Sequence, residues 1–347
     1  MTAGRFTGKS VSHVWRRWAA SRLIDREPLD AVIGKLVDHG FDRDASRAAC
    51  AELENHPAVD AGRRIADRLA KVYSILDIRQ ELRELSTARR EIMRARGVST
   101  MQFLDEYYSA NLPVVLLDVA QRWPAVTKWS ASYLLELFGN EPIEVMARRE
   151  MDDRFDLNWT LHRFTMPFSR FAQHVLSSSS SNDQYLVANN RLLETSAAEP
   201  LWHDFAIDNR YLDEQQTAGK VFLWFGPAGT ITQLHHDVGN VLFVQIHGRK
   251  RIRLIDPLET HCVYNDVLAF SEVDAARPDL ETYPKFARTR NYTIVLEPGQ
   301  ALFLPVGWWH HVTALETSIS LSFTNFRWNN KFEWRHPNDR PQSITIK

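Results

Sequence analysis

Leu234-His235-His236-Asp237, answered 73 positions after Asp237 by His310 within Trp308-Trp309-His310-His311, is the stretch on which the reading of this chain turns. A His-x-Asp on an extended strand sets its first and third side chains on one face, because strand side chains alternate with a period of two. His235 and Asp237 then point at one spot, and His310 reaches it from the end of another apolar run. Two imidazoles and one carboxylate on one side of a metal form the facial triad of non-haem iron(II), which leaves coordination positions open. A His-x-Asp alone is a weak signal, so the flanking sequence carries the case.

Around these residues short apolar runs follow one another closely: Val221–Phe225, Thr232–Asp237, Val241–Ile246, Lys250–Ile255, Tyr292–Leu296, Ala301–Leu304 and Ile319–Phe326. Gly226-Pro227, His247-Gly248, Asp256-Pro257, Pro298-Gly299 and Pro305-Val306-Gly307 punctuate them. Many short strands at such spacing predict a sandwich or small barrel. The 34 or so residues after Asp256 lack periodicity and are expected to loop over one end of it.

Upstream, Asn111–Leu117 reads as a buried strand, Tyr133–Phe138 as a helix closed by Gly139-Asn140, and Ile143–Val145 as a strand. Phe164–Phe171 reads as a strand-to-helix junction, Ser177–Ser181 as a surface loop, and Gln184–Val187 as a strand. Residues 11 to about 96 show helical spacing, with His39-Gly40-Phe41 as a C-cap and turn. The expected divisions are a helical region at 1–68, linker helices at 69–110, the β domain at 111–327 and a tail at 328–347. The Gly-Phe between two short helices loosely resembles a ubiquitin-associated three-helix unit. A helical cap that covers the β domain or dimerises is the plainer expectation.

Composition narrows the partners. The chain has 347 residues, 44% of them hydrophobic and 24% charged, with a formal net charge of −1. That balance is ordinary for a soluble globular protein and gives no reason to expect a polyanionic nucleic acid or an anionic membrane. Its two cysteines, Cys50 and Cys262, form neither a disulfide framework nor a zinc pattern. Without an apolar leader or a spanning run, the expected compartment is the cytoplasm.

Several polar residues sit where apolar ones are expected. Period two places Lys250 on the face of Ile252 and Leu254, where an unpaired charge is costly and a ligand carboxylate would satisfy it. Thr232 and Tyr185 are candidate donors to such a ligand, their alternative being ordinary core hydroxyls. Asn325 shares the face of Ile319, Leu321 and Phe323 and is a candidate contact. His236 and His311 face away from the ligands and are read as packing residues. Trp224, Phe225, Trp308 and Trp309 either wall a pocket or belong to the core, with core assigned to at least two.

Thr232-x-x-His235-x-Asp237, Gln245-x-x-Gly248-x-Lys250 and Pro298-Gly299-x-x-Leu302-x-x-Pro305-x-x-Trp308-Trp309-His310 together resemble the JmjC, cupin-like 2-oxoglutarate oxygenases. Within them the pattern is similar to the asparaginyl hydroxylase type that acts on hypoxia-inducible factor. The resemblance runs from about Asn111 to Phe326. It implies a double-stranded β-helix of jelly-roll type, Fe(II) held by His235, Asp237 and His310, and 2-oxoglutarate and O2 as cosubstrates. It also implies that Lys250, Thr232 and Tyr185 bind the far carboxylate of 2-oxoglutarate, with Asn325 nearby. One departure is that Val241 stands four residues after Asp237 where the family type has asparagine, with Asn240 one place earlier. The implied activity is hydroxylation of a protein or peptide side chain. The same chemistry on a small molecule, RNA or N-methyl-lysine stays open, as do a non-catalytic binding barrel, a metal cupin that uses no 2-oxoglutarate, and a homodimer.

Overall fold

The computed structural model describes residues 10–86, 90–265 and 268–334. The first residues, Met1–Arg5, and the tail beyond 334 lie outside the described residues. The chain forms two compact units that divide between Leu82 and Arg83.

The first unit holds α1 (His13–Ile24), α2 (Leu29–Asp38), α3 (Arg43–Glu54) and most of α4 (Pro57–Glu84). Its core is small: Ala19, Leu23, Val32, Ile33, Leu36, Ala49, Cys50 and Val59 are buried together. Gly40, at φ +86°, ends α2 in the left-handed conformation that favours glycine. Asp42 caps α3 by accepting from the Ala45 amide. Helical spacing carries the reading only to Glu84. Met93–Ala95 is a strand, β1, which pairs in parallel with β2 (Val114–Leu116) and so belongs to the β domain. Tertiary pairing overrides local preference there, and the sheet therefore begins before residue 111.

The second unit is built on two sheets, antiparallel throughout except for the β1–β2 pair. Strands β3 (Pro142–Met146) and β4 (Arg163–Pro167) form a separate hairpin-like pair, flanked by α5 (Ala131–Phe138) and α6 (Phe168–Ser177). The main strands are β5 (Val221–Gly226), β6 (Ile231–His236), β7 (Val241–His247), β8 (Lys250–Ile255), β9 (Tyr292–Leu296), β10 (Ala301–Leu304), β11 (Trp309–Ala314) and β12 (Ser318–Phe323). They order as β1-β2-β10-β7-β12-β5 in one sheet and β6-β11-β8-β9 in the other. From β5 to β12 the strands alternate between the sheets, except that β8 and β9 are neighbours in the second, which gives the double-stranded β-helix of a jelly roll. The β11 strand was not legible in advance, because Trp-His-His-Val-Thr-Ala mixes polar and apolar residues without alternation.

Alternation in β12 separates two environments. Ile319, Leu321 and Phe323 pack outward into the large core shared with α5 and α6. Ser318, Ser320 and Ser322 face the space between the sheets. There the Ser320 hydroxyl donates to Gln245 Oε1 at 2.8 Å, and Trp224 Nε1 donates to the Ser322 hydroxyl at 2.9 Å. At one end that space is filled by Val115, Ile252, Leu254, Leu296, Leu302 and Trp308, drawn from both sheets. At the other end it opens into a cavity.

The turn between β7 and β8, which carries the chain from one sheet to the other, delivers Lys250 into that space. Gln245 Nε2 donates to the carbonyls of His247 and Gly248 at 2.7 and 3.0 Å, tying down the turn. Gly248 has φ +66°, and a Cβ there would lie 2.2 Å from the Thr317 carbonyl oxygen. Gly248→Ala should therefore lower unfolding free energy by more than about 2 kcal/mol. Gly139→Ala, at φ +48° with nothing within 4 Å, should cost about 1 kcal/mol. Urea unfolding of both variants measures the difference.

Candidate metal centre and cosubstrate cavity

His235 and His310 lie directly opposite each other across the β6–β11 pair, with ring centroids 4.0 Å apart. Each ring is oriented by a backbone carbonyl: His235 Nδ1 donates to Gln233 O at 2.8 Å, and His310 Nδ1 donates to Trp308 O at 3.0 Å. A carbonyl can only accept, so the proton sits on Nδ1 and the Nε2 lone pairs are free. Both Nε2 atoms point at the Asp237 carboxylate, at 3.9 and 3.7 Å. Those separations are too long for hydrogen bonds and leave room between the atoms. The three ligand atoms lie within 4.8 Å of one another, so the trio can hold a metal ion. Burial and the neighbouring His235 push His310 well below its ordinary pKa, keeping it in the neutral form a metal needs.

A bulge explains the rest of the motif. Between the paired positions His235/His310 and Thr232/Val312, β6 spends three steps where β11 spends two. On a regular strand Thr232 and His235 would face opposite sides. The extra residue turns both into the same cavity. Outside β6 a buried ion pair fixes this geometry. Arg149 donates to Asp156 and to the Ile231 carbonyl, while Asp156 accepts from the Gln233 amide at 2.8 Å. The guanidinium also lies over the rings of Phe155 and Tyr185, at 4.3 and 5.3 Å from their centroids. Nothing in the spacing of Arg148-Arg149-Glu150 singled out this residue.

The cavity has a volume of about 160 Å³ and is lined by the triad together with Tyr185, Trp224, Thr232, Phe243, Lys250 and Ser322, among others. Lys250 is 1% exposed and donates to the Tyr185 hydroxyl at 2.9 Å. Thr232 hydrogen-bonds the same phenol. No carboxylate among the described residues pairs with Lys250, and burial pushes its pKa down to about 7. The β8–β11 register puts Lys250 opposite Ala314 and Leu254 opposite His310. The lysine Cα thus stands four residues along the strand from the metal level, about 13 Å. A five-carbon diacid and the lysine side chain together bridge such a gap.

Other expected contacts lie elsewhere. Asn325 lies just past β12, whose Ile319 and Phe323 belong to the outer core, and it does not line the cavity. Its Nδ2 donates to Asp213 O at 2.8 Å. Ser322 and Thr324, of the opposite parity, line the cavity instead. Asn240 builds a turn: its Oδ1 accepts from the Val306 amide at 2.8 Å, and its own amide donates to Asn330 Oδ1. Of the tryptophans only Trp224 borders the cavity. Trp308 is core and donates to Asn111 O, whereas Trp309 packs beside Leu234 and donates to the Thr260 hydroxyl. The segment after Asp256 does reach the site. Residues 269–271 exchange backbone hydrogen bonds with Leu234 and His236, and the Phe270 ring stacks on His235 at 5.7 Å. The serine stretch is anchored, since Ser181 bonds to Glu150 and to the Ala228 carbonyl.

The cupin-like domain family matches the chain over residues 100–333, more than half its length. The chain belongs to that family. Its relatives include Jumonji C domain-containing protein 5 of Drosophila melanogaster, 32% identical over 68% of this chain and 60% of that protein. Lysine-specific demethylase 8 of Xenopus tropicalis is 33% identical over 65% of this chain and 50% of the relative. tRNA wybutosine-synthesizing protein 5 of Gallus gallus is 27% identical over 65% and 74%. The chain spans half to three-fifths of the length of the first two. The cupin barrel, the open-sided trio and Lys250, which no carboxylate among the described residues pairs, suit the pair that the motif resemblance implies, iron(II) and 2-oxoglutarate. Among the described residues no helix is long and apolar enough to cross a membrane.

Lys250 makes stability depend on pH. Its pKa falls from 10.5 in the unfolded chain to about 7 on folding. Between those values the unfolded state binds more protons, so stability rises with pH, and the penalty is fully present below about 7. Lys250→Met should remove that slope and raise unfolding free energy at about pH 6 by roughly 1–4 kcal/mol. Urea unfolding near pH 6 and pH 9 checks both points.

Proposed function

We propose that this protein is an Fe(II)- and 2-oxoglutarate-dependent oxygenase that hydroxylates a side chain in a protein or peptide. The observation that carries the reading is Lys250, a buried cation without a carboxylate partner that faces the same cavity as the His235/Asp237/His310 trio. A barrel that only binds partners needs neither feature. A metal cupin that uses no 2-oxo acid needs no buried lysine.

In this reading His235, Asp237 and His310 hold the iron, and Lys250, Tyr185 and Thr232 hold the far carboxylate of the diacid. When bound, iron would activate O2, the oxidant, and 2-oxoglutarate would give up two electrons to it and leave as succinate and CO2. The chain's own residues bind and orient. The imidazoles would present Nε2, Lys250 would pair with the far carboxylate of the diacid, and Phe243 with Ile252 would line its carbon chain. Phe270 over His235 screens one side of the trio.

Two surface grooves support a macromolecular substrate. One, of about 690 Å³, includes Asp237, Val241 and Thr324 from the cavity wall. The other, of about 600 Å³, shares Ala188 and Phe222 with it. An extended peptide has room to cross the mouth between them. The relatives' names point to modification of protein lysines and of tRNA. The near-neutral charge of this chain and the ion-paired Arg163–Glu144 in one groove favour a peptide over a polyanion.

Anaerobic addition of Fe(II) and 2-oxoglutarate should give the weak visible charge-transfer band of a chelated 2-oxo acid. That band should vanish in His310→Ala and weaken in Lys250→Ala. Iron-loaded, folded protein without the band would sink the cosubstrate assignment. The dianion needs Lys250 protonated, so its dissociation constant should rise close to tenfold per pH unit above about 7. A pH-independent affinity would remove Lys250 from the role.

A further inference from the structure

The three side chains directed at the metal position are not held alike. His235 and His310 sit on paired strands, β6 and β11, whose ladder fixes them. Asp237 does not. Strand β6 ends at His236, and Asp237 begins the loop Asp237–Asn240 that carries the chain to β7 in the other sheet. Its side chain is 38% exposed, and Val238 beyond it is 51% exposed. Among the described residues no strand pairs with this loop, so the carboxylate keeps its place only if other groups hold the backbone.

Such groups converge on it from two sides. In the turn before β11 the Gly307 amide donates to Asp237 O at 3.2 Å, and the Val306 amide donates to Asn240 Oδ1 at 2.8 Å. From the segment after β12, Trp334 Nε1 donates to Val238 O at 3.0 Å. Asn330 engages the loop twice: its Oδ1 accepts from the Asn240 amide at 2.7 Å, and its Nδ2 donates to Asn240 O at 2.9 Å. A side-chain amide that gives and receives a bond with one residue does what a neighbouring strand would do. Gly239 leaves space for it, since a Cβ there would lie 3.3 Å from Asn330 O and 3.5 Å from Asn330 Nδ2 and Oδ1.

The holding segment is itself anchored. The Arg327 amide donates to Tyr211 O at 3.1 Å, the Tyr108 hydroxyl donates to Asn329 O at 3.1 Å, and Asn330 Nδ2 also reaches Thr324 O at 3.0 Å. The Trp334 ring lies 4.6 Å from that of His236, the residue between two of the ligands. A tail that only closed the barrel could seal any part of its edge, whereas Asn330 and Trp334 both bond to the loop of the ligand that the strands leave unsupported. The groove of about 690 Å³ is lined by this segment and by Asp237, Val238 and Gly239 together. Whatever occupies it touches the ligand loop and its holder at once.

We propose that Asn330 is a positioning residue of the metal site: clamped on Asn240, and helped by Trp334, it sets where the Asp237 carboxylate stands relative to the two imidazoles. This role rests on the reading of His235, Asp237 and His310 as metal ligands, and wild-type binding tests that reading first. Anaerobic titration of the full chain with Co(II), whose visible bands report coordination, should show a site that Asp237→Ala nearly abolishes. Asn330→Ala should raise the Co(II) dissociation constant about 10- to 100-fold and alter the bands, with circular dichroism unchanged. Trp334→Phe keeps an aromatic ring beside His236 and loses one hydrogen bond. It should raise the constant about threefold, and it carries the test should Asn330→Ala not fold. Gly139→Ala, which destabilises the fold at the end of α5, should leave the constant unchanged. A wild-type chain that does not bind Co(II) would remove the metal-site reading and the positioning role with it. Wild-type affinity in Asn330→Ala, or in Trp334→Phe if the first does not fold, would overturn the positioning role alone. So would an equal loss in Gly139→Ala, which would mark the effect as general loosening of the fold.

Discussion

One extra residue in β6 decides what the barrel can do. Strand pairing forces alternation, and alternation forbids side chains three apart from sharing a face. The bulge between Thr232 and His235 breaks that rule at one place, while β11 runs on with one residue fewer. A hydroxyl for the far end of the cavity and an imidazole for its mouth thereby come from a single strand. The bend has to be held, and the Arg149–Asp156 pair holds it by hydrogen-bonding Ile231 and Gln233 on the outer edge. Bulges of this kind recur beside active sites because they re-aim a side chain without breaking the sheet.

The cavity is polarised along its length. Two imidazoles and a carboxyl group stand at the mouth, and a buried lysine stands at the closed end. Between them the walls are aromatic and aliphatic. The low dielectric of such a passage raises the cost of each isolated charge and strengthens attraction for a ligand that neutralises both ends. Lys250 with its pKa near 7 is the visible sign of that cost. Gln245 and Gly248, which never touch a ligand in this arrangement, matter because they set where the lysine enters.

Much of this was legible in the residues. Turn dipeptides marked the strands from Val221 onward, and the His-x-Asp pair with the distant His310 named the trio. Period two put Lys250 inward correctly. The same rule set Asn325 with Ile319 and Phe323, but could not say that the face of those two packs on helices while Ser322 borders the cavity. Inside and outside are decided by which sheet lies opposite, and no single strand encodes that. Asn240 and Trp308 read as ligand-side residues because they adjoin motif positions, yet turns and core claim them. Arg149 was invisible for a different reason: its partners are 7 and 82 positions away, and only the fold brings them together.

The serine face of β12 has a consequence for how such proteins change. Ser318, Ser320 and Ser322 are small and buried on the inward face, and Ser322 lines the passage that a ligand would occupy. Filling that space with methyl groups would tighten the barrel and lift its melting temperature while closing the passage. Selection for robustness alone would thus drift toward a sealed, inert relative, with the histidines still in place and nothing able to reach them. A cupin of this kind that has lost its chemistry should therefore be sought first in the bulk of its small residues, before its metal ligands are inspected.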